Sequence, residues 1–364
     1  LNRSASRPGA RTTRATATGW LAITQGQSSV LFEVAASDVG VLEPWTGRKA
    51  TGSVTGTGTV TGAFDLPRVT AAFGGPLLAD PQLGRYEHVV GTTDITFPEW
   101  YLDRLQGDIG FRAGVMTTSA GTRVESLNTR NHFTSRFAVD RSDVTASVSG
   151  VSVDATLRAD WTAESTAWIT AMTARRNGQA WTFASPDAPI RVSTSHLNAT
   201  RATFANGAQR VVLDGGLAWS AIEAGGDPAD HLTVSVTDVA VKDAETFLDL
   251  AIGATGTVTG QVSLDGRLSD PRGHVTVTGR DLSVRGYQIA SLTADVGLER
   301  GAASVSVRAR QPDGLALTMV GDAPLAWLLP AGSLDAEVPT PNWALAVVSD
   351  PINLDIFAAA APSR

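Results

Sequence analysis

The sequence predicts an all-β protein with at most a few short helices. Several segments alternate apolar and polar residues with a period of two, which gives a strand one apolar and one polar face. Turn-forming glycine, proline and aspartate separate these segments at short intervals, as in antiparallel sheets. Glycine makes up 36 of the 364 residues, above the usual share of roughly 7%.

The alternation is clearest in the second half of the chain. The predicted strands cover residues 232–236, 258–264, 275–277, 305–309 and 315–319. In most of them Val or Leu alternates with Thr, Ser, Gln or Arg, so each strand is expected to be buried on one side only. The pair Asp313-Gly314 suits a tight hairpin between the last two strands.

Helical signals are few. Residues 243–250 are the best candidate for a helix of two turns, with Asp243 as the N-cap. Residues 161–176 are ambiguous, because the spacing of Trp168, Ile169 and Met172 suits a helix while frequent Thr and Ser suit a strand.

The predicted organisation has three parts. Residues 1–18 carry four Arg among Ser, Ala and Thr without apolar periodicity, which predicts a linker or a frayed terminus. Residues 19–175 and 176–358 are predicted to be two β-rich segments. The chain begins with Leu1, and we expect it to be a processed protein or an internal fragment of a longer one.

Composition excludes several classes of protein. The chain is 43% hydrophobic and 18% charged, which argues against intrinsic disorder. The absence of cysteine removes disulfides, thiolate metal sites and cysteine nucleophiles. A net charge of −7 argues against nucleic-acid binding. No apolar run reaches the ~20 residues of a transmembrane helix.

Motifs for metals, cofactors and nucleophilic catalysis are absent from the sequence. The five histidines do not pair at metal-ligand spacing, and neither a Walker A loop nor a G-x-S-x-G elbow occurs. Glycines at positions 52, 56, 58 and 62 resemble a phosphate loop, but the Val and Thr between them favour strands. The sequence therefore predicts no cofactor and no metal.

One cluster of carboxylates is the best candidate for an enzyme site. Its members are Asp94, Glu99, Asp103 and Asp108, with Trp100 and Tyr101 among them. A glycosidase needs two carboxylates facing a sugar, and aromatic residues serve as sugar platforms. The alternative interpretation is a solvated loop with an aromatic anchor.

A longer pattern lies within residues 232–325, where a strand pair and a short helix precede a run of alternating glycine and apolar residues. The run is Gly256-x-Val258-x-Gly260-x-Val262-x-Leu264-x-Gly266-x-Leu268-x-x-Pro271, and strands of period two follow it. A looser segment, residues 179–217, has a strand led by Trp181 before a strand pair. Together these segments resemble the repeat of TamB and the wider AsmA-like family of Gram-negative envelope proteins.

The resemblance implies a fold and a function. The fold is an elongated antiparallel β-groove, a solenoid-like taco with an apolar interior. Such proteins bridge the inner and outer membranes and conduct phospholipids, and TamB-like members also pair with an outer-membrane barrel protein during envelope assembly. The implied location is the periplasm, with an inner-membrane anchor and membrane contacts in parts of the protein outside this chain. No catalytic residue is implied.

The apolar side of the predicted strands gives a candidate lining for this groove. The predicted lining residues are Val258, Val262, Leu264, Val275, Val277, Leu292, Val296, Val305, Val307, Leu315, Leu317 and Met319. Their predicted neighbours on the opposite face are Thr259, Gln261, Ser263, Thr276, Ser306, Arg308 and Thr318.

Two other functions remain open at this point. A secreted or surface β-solenoid, such as an adhesin, would close its apolar interior and leave no groove. A β-rich carbohydrate-active enzyme would place a carboxylate pair in one cleft.

Overall fold

The computed structural model describes residues 13–21, 26–43, 49–81, 84–119, 121–161, 165–193, 195–218, 230–250, 253–267, 270–284, 286–299, 301–324 and 344–350. Antiparallel strands make up nearly all of the regular structure in these residues. The prediction of an all-β fold with very few helices is confirmed. The chain divides into two compact units, unit 1 (Leu1–Ser165) and unit 2 (Thr166–Arg364).

Unit 1 contains twelve described strands and three 3-10 helices. The strands are β1 (Thr13–Trp20), β2 (Ser28–Ala36), β3 (Thr51–Gly52), β4 (Val54–Gly62), β5 (Arg68–Asp80), β6 (Gly84–Thr96), β7 (Gln106–Ala113), β8 (Val115–Thr117), β9 (Arg123–Val124), β10 (Ser126–Ser135), β11 (Ala138–Val148) and β12 (Val151–Asp160). The 3-10 helices are Val39–Leu42, Pro98–Trp100 and Leu102–Arg104.

The strands of unit 1 form an antiparallel meander. Three long strands are each interrupted by a single residue, which is Ser53 between β3 and β4, Gly114 between β7 and β8, and Glu125 between β9 and β10. Each of these residues still donates its backbone N–H to the adjacent strand, so the ladder continues. The order across the sheet is β1, β2, β3/β4, β5, β6, β7/β8, β9/β10, β11 and β12.

Unit 2 has the same plan with one α-helix. Its strands are β13 (Thr166–Arg176), β14 (Gln179–Ala184), β15 (Ile190–Ser193), β16 (His196–Asn206), β17 (Gln209–Ala218), β18 (His231–Ala240), β19 (Ala254–Arg267), β20 (Asp270–Val284), β21 (Tyr287–Glu299), β22 (Ala302–Arg310), β23 (Ala316–Pro324) and β24 (Ala344–Ser349). Helix α1 (Val241–Leu248) connects β18 to β19. Strands β14 and β15 together lie between β13 and β16, and the later strands follow in chain order.

Helix α1 lies over one end of the sheet and is held there by polar side chains. The Asp243 carboxylate accepts hydrogen bonds from Gln179 Nε2 (2.9 Å) and Gln209 Nε2 (2.6 Å), the first residues of β14 and β17. Arg176 pairs with Asp249 just after the helix, at 2.8 Å.

Two local predictions need correction. The helix begins at Val241 with Ala240 as its N-cap, so the prediction of Asp243 as N-cap was wrong. The Asp243 carboxylate accepts hydrogen bonds from Gln179 and Gln209 instead of capping the helix. The loop around Asp313 spans residues 311–315 and is longer than a tight hairpin, since Gln311 N donates to Leu315 O.

The ambiguous segment 161–176 forms a strand over residues 166–176, which are β13. The prediction of a linker or frayed terminus for residues 1–18 was wrong for residues 13–18, which lie in β1, and residues 1–12 lie outside the described residues. The glycine-rich stretch at 51–62 forms β3 and β4, which confirms the strand interpretation over a phosphate loop.

Candidate functional site

The sheet of unit 2 presents one continuous apolar face between β18 and β23. Residues that are direct partners across an antiparallel ladder point to the same face, so the register defines rows running across the strands. One such row is Val234, Val262, Val275, Val296, Val305 and Gly321. We call the face that carries this row the apolar face of unit 2.

Three further rows complete this face. They are Leu232, Leu264, Gly273, Leu298, Ala303 and Ala323; Val236, Gly260, Val277, Ala294, Val307 and Met319; and Val239, Val258, Gly279, Leu292, Ala309 and Leu317. Four rows across six strands thus hold only apolar residues or glycine.

The register brings eleven of the twelve predicted lining residues together on this face. The exception is Leu315, which lies in the loop before β23. The seven predicted opposite-face residues all lie in rows of the other face, for example Gln261, Thr276 and Ser306. Whether the apolar residues line a lipid path remains a prediction.

Sequence reasoning missed part of this face. The valines and leucine of β18 were predicted to lie in a strand, but their place beside β19 depends on a register that sequence does not specify. Val239 is out of phase with Val236, and a bulge at Asp238 (φ 50°) returns it to the apolar side.

The large side chains of the apolar face are only partly covered. Val262, Val275, Val296, Val305 and Leu317 are all half-buried. Buried positions occur mainly in the first and last of the four rows, at Leu232, Val239, Ala303 and Ala323. Apolar surface is therefore left accessible over the middle of the face.

A well-packed cluster borders this open surface. Phe183, Ile190, Ala199 and Ala202 are buried together, and the ring of Phe204 lies 5.3 Å from that of Phe183. Ala202 and Phe204 pair with β17 and so extend two of the rows toward β16. The apolar face thus continues from a closed core at β14–β16 to a partly open surface at β18–β23.

The opposite face of the same strands is polar. His231 pairs with Asp265 at 2.7 Å and His274 with Asp295 at 3.1 Å, and all four side chains are exposed. Thr, Ser and Arg occupy most of the remaining positions. One face of this sheet is therefore apolar and the other is polar, so a ligand would meet a different environment on each.

Three carboxylates of the unit 1 cluster each lie beside a basic side chain. Asp94 and Asp108 are direct partners on β6 and β7. Arg68 Nη2 lies 2.5 Å from Asp94, and His132 Nδ1 lies 3.1 Å from Asp108. Hydrogen bonding by Arg68 lowers the pKa of the Asp94 carboxyl, whereas a general acid needs a raised pKa.

The loop that carries the rest of that cluster is exposed. Glu99 pairs with Arg104 at 2.6 Å, and Trp100 and Tyr101 are 43% and 53% exposed. The Arg104 guanidinium lies over the Tyr101 ring at 4.9 Å. This part of the cluster therefore lies in a solvated loop.

The described residues contain no group of three or more His, Asp or Glu side chains placed to hold a metal ion. Among those same residues, no helix has both the length and the apolar character needed to cross a bilayer. Comparisons of the chain with protein-family models, curated proteins and solved structures find no match in any of the three.

Proposed function

We propose that this is a non-enzymatic protein of the cell envelope whose apolar β-face carries phospholipid acyl chains between the inner and outer membranes. The observation that carries the proposal is the apolar face of unit 2, where four rows across six strands contain no polar side chain and the central residues are half-buried. The resemblance to the TamB and AsmA-like family supplies the envelope location and the class of cargo.

Acyl chains suit this face for a physical reason. Each methylene removed from water contributes roughly 0.8 kcal/mol. Because every row offers similar Val, Leu, Ala and Gly side chains, a chain is held by its total contact and by no single residue. Such a surface retains a lipid and still lets it move along the face.

Charge distribution favours the same cargo. The apolar face has no cation for a phosphate and no hydrogen-bonding side chain for a sugar. A phospholipid on this face would keep its headgroup in water. The family resemblance further supports an outer-membrane barrel protein as partner and a role in outer-membrane protein assembly.

Native mass spectrometry of the chain purified from a bacterial periplasm tests the proposal. We expect co-purifying phospholipid in the wild-type protein and its loss in Val305→Glu, since a carboxylate on the apolar face is costly to bury beside acyl chains. Ser306→Glu is the matched control, because the next residue of β22 points to the polar face.

Two other results would favour the closed solenoid or the carbohydrate-active enzyme. A compact, lipid-free wild-type monomer would contradict lipid carriage and favour a closed solenoid. Turnover of a polysaccharide substrate by that monomer would favour the carbohydrate-active enzyme.

A further inference from the structure

The two ends of the unit 1 strands differ in the side chains that they expose. Among the described residues of unit 1, nine of the twelve exposed large apolar side chains lie at the end where β4 turns into β5. Of the other three, Leu31 and Val90 lie within strands and Val41 lies at the opposite end. The apolar side chains are therefore concentrated at one end of this sheet.

Seven of these side chains belong to three loops and the residue after β12, which form one continuous row. Backbone hydrogen bonds join the neighbouring segments, namely Phe97 N to Pro67 O (3.0 Å), Arg136 N to Asp103 O (3.4 Å) and Trp161 N to Phe137 O (2.8 Å). We call the exposed large apolar side chains of residues 63–67, 97–105 and 136–137, together with Trp161, the aromatic rim. A contiguous exposed patch of this kind marks an interaction site, whereas single exposed residues do not.

The backbone of the rim is already hydrogen-bonded. In the longest loop, the amides of Trp100, Tyr101 and Arg104 donate to carbonyls of the same loop at 3.0, 3.1 and 3.2 Å. Glu99 N donates to Asp65 O in the neighbouring loop at 2.6 Å. Because bonded amides lose little when water is removed, the tip of this loop can enter a medium poorer in water.

The side chains of the rim are of the types found at membrane–water interfaces. Tryptophan and tyrosine favour that interface, because the ring is apolar while its N–H or O–H stays hydrated. The guanidinium carbon of Arg104 lies 4.9 Å from the ring centre of Tyr101, and that of Arg136 lies 5.1 Å from the ring centre of Phe137. Guanidinium groups beside the rings are placed to bond lipid phosphates at the same depth.

The charge of the rim loops indicates which kind of bilayer fits. They contain two arginines and three carboxylates, those of Asp65, Glu99 and Asp103, and Glu99 is paired with Arg104 at 2.6 Å. Loops with one net negative charge are not attracted to an anionic surface, so apolar burial has to supply the affinity. A zwitterionic bilayer matches this balance.

We infer that the aromatic rim of unit 1 docks on a zwitterionic phospholipid bilayer, with its aromatic and leucine side chains in the interface. A row that is one loop deep suits a fluid surface that adapts to it, whereas the anchors of a protein interface cluster in central pockets of the partner. The inference adds a membrane contact within this chain and does not depend on lipid carriage by unit 2.

Flotation with phosphatidylcholine vesicles tests the inference on the full chain. We expect the wild-type protein to float with the vesicles at low and at high salt, because apolar burial is not screened. Leu66→Ser/Leu102→Ser should lower the partition coefficient about tenfold or more, since two side chains that are 51% and 53% exposed no longer leave water on binding. Leu31→Ser/Val90→Ser is the matched control, with side chains that are 55% and 56% exposed within strands, and should float as wild type.

Fluorescence quenching by a brominated phosphatidylcholine locates the contact. Vesicles of this lipid should quench the tryptophan emission of the wild-type protein, and the quenching should shrink in Trp100→Phe/Trp161→Phe. Val305→Glu, which tests lipid carriage on unit 2, should float as wild type.

Several results would overturn the inference. They are wild-type protein that does not float, a Leu66→Ser/Leu102→Ser variant that floats as well as wild type, an equal loss in the Leu31→Ser/Val90→Ser control, and flotation that requires phosphatidylglycerol. Wild-type dimers that dissociate in Leu66→Ser/Leu102→Ser, without flotation, would assign the rim to a second copy of the chain. Intact flotation of a protein that carries no lipid in native mass spectrometry would overturn the proposed function alone.

Discussion

The phenyl ring of Phe73 on β5 lies directly over Gly91, its cross-strand partner on β6. Any side chain at position 91 would collide with that ring. The same arrangement occurs between Phe32 and Gly58 on β2 and β4. Aromatic residues thus cover the gaps that glycines leave on this face of the unit 1 sheet, and the glycines are part of the packing.

We predict that Gly91→Ala destabilises the protein by about 1–3 kcal/mol, the usual range for overpacking a filled site. The measurement is urea unfolding. In a Phe73→Ala background the ring is gone, and the same substitution should cost much less. An equal cost in both backgrounds would show that the contact with Phe73 is not the cause.

The buried carboxylate of Glu245 gives a second prediction. Glu245 Oε1 accepts the backbone N–H of Ala254 at 2.9 Å and so ties helix α1 to the start of β19. Glu245→Ala would leave that N–H unsatisfied and should cost about 1–3 kcal/mol. Glu245→Gln retains an acceptor and should cost less.

Urea unfolding measures both variants, with Lys242→Ala as the control because Lys242 is an exposed residue of the same helix. If Glu245→Ala proved no more destabilising than the control, the hydrogen bond to Ala254 would not be anchoring the helix.

The pair formed by Arg68 and Asp94 predicts a pH dependence. Hydrogen bonding by Arg68 lowers the pKa of Asp94 in the folded protein. The pair therefore stabilises the fold above the unfolded pKa of about 3.9, and this contribution is lost as pH falls through the lower folded pKa. Both side chains are largely exposed, so the effect is small.

We expect Asp94→Asn to lower the Tm slightly at pH 7, and the difference from wild type to vanish in strong acid. High salt should shrink it as well. Asp140→Asn, at an exposed aspartate of β11, is the control. A Tm difference that persisted unchanged at low pH would contradict an electrostatic origin.

The bulge at Asp238 supplies a prediction about backbone shape. Asp238 has φ 50°, which aspartate tolerates and β-branched residues do not. Asp238→Val should lower the Tm, whereas Asp238→Gly should be close to neutral. Equal Tm values for the two variants would indicate that the bulge is not needed to keep Val239 on the apolar side.

Much of the unit 2 face could be predicted from sequence, because the parts of β19–β23 that form the four rows alternate without interruption. Val305 is apolar and Ser306 is polar, so the period alone predicts that their side chains point to opposite faces. Leu315 continues the same period, yet it lies outside the strand because the loop from 311 closes on it. The period of two predicts on which face of the sheet a residue lies, but it does not predict where its strand ends.

The face of unit 1 that carries Phe73 and Gly91 was harder to predict for two reasons. Glycines such as Gly91 contribute nothing to an apolar pattern, and the phenyl ring that fills the gap comes from another strand. A left-handed residue, His88 (φ 52°), also shifts the phase within β6.

Photocrosslinking from two adjacent positions of β19 tests the central claim most directly. A benzophenone amino acid is placed at Val262, on the apolar face of unit 2, or at Gln261, on the polar face, in cells labelled with radioactive phosphate. We predict that phospholipid is captured from position 262 and not from position 261. Capture from 261 alone, equal capture from both, or capture from neither would contradict an acyl-chain path on the apolar face.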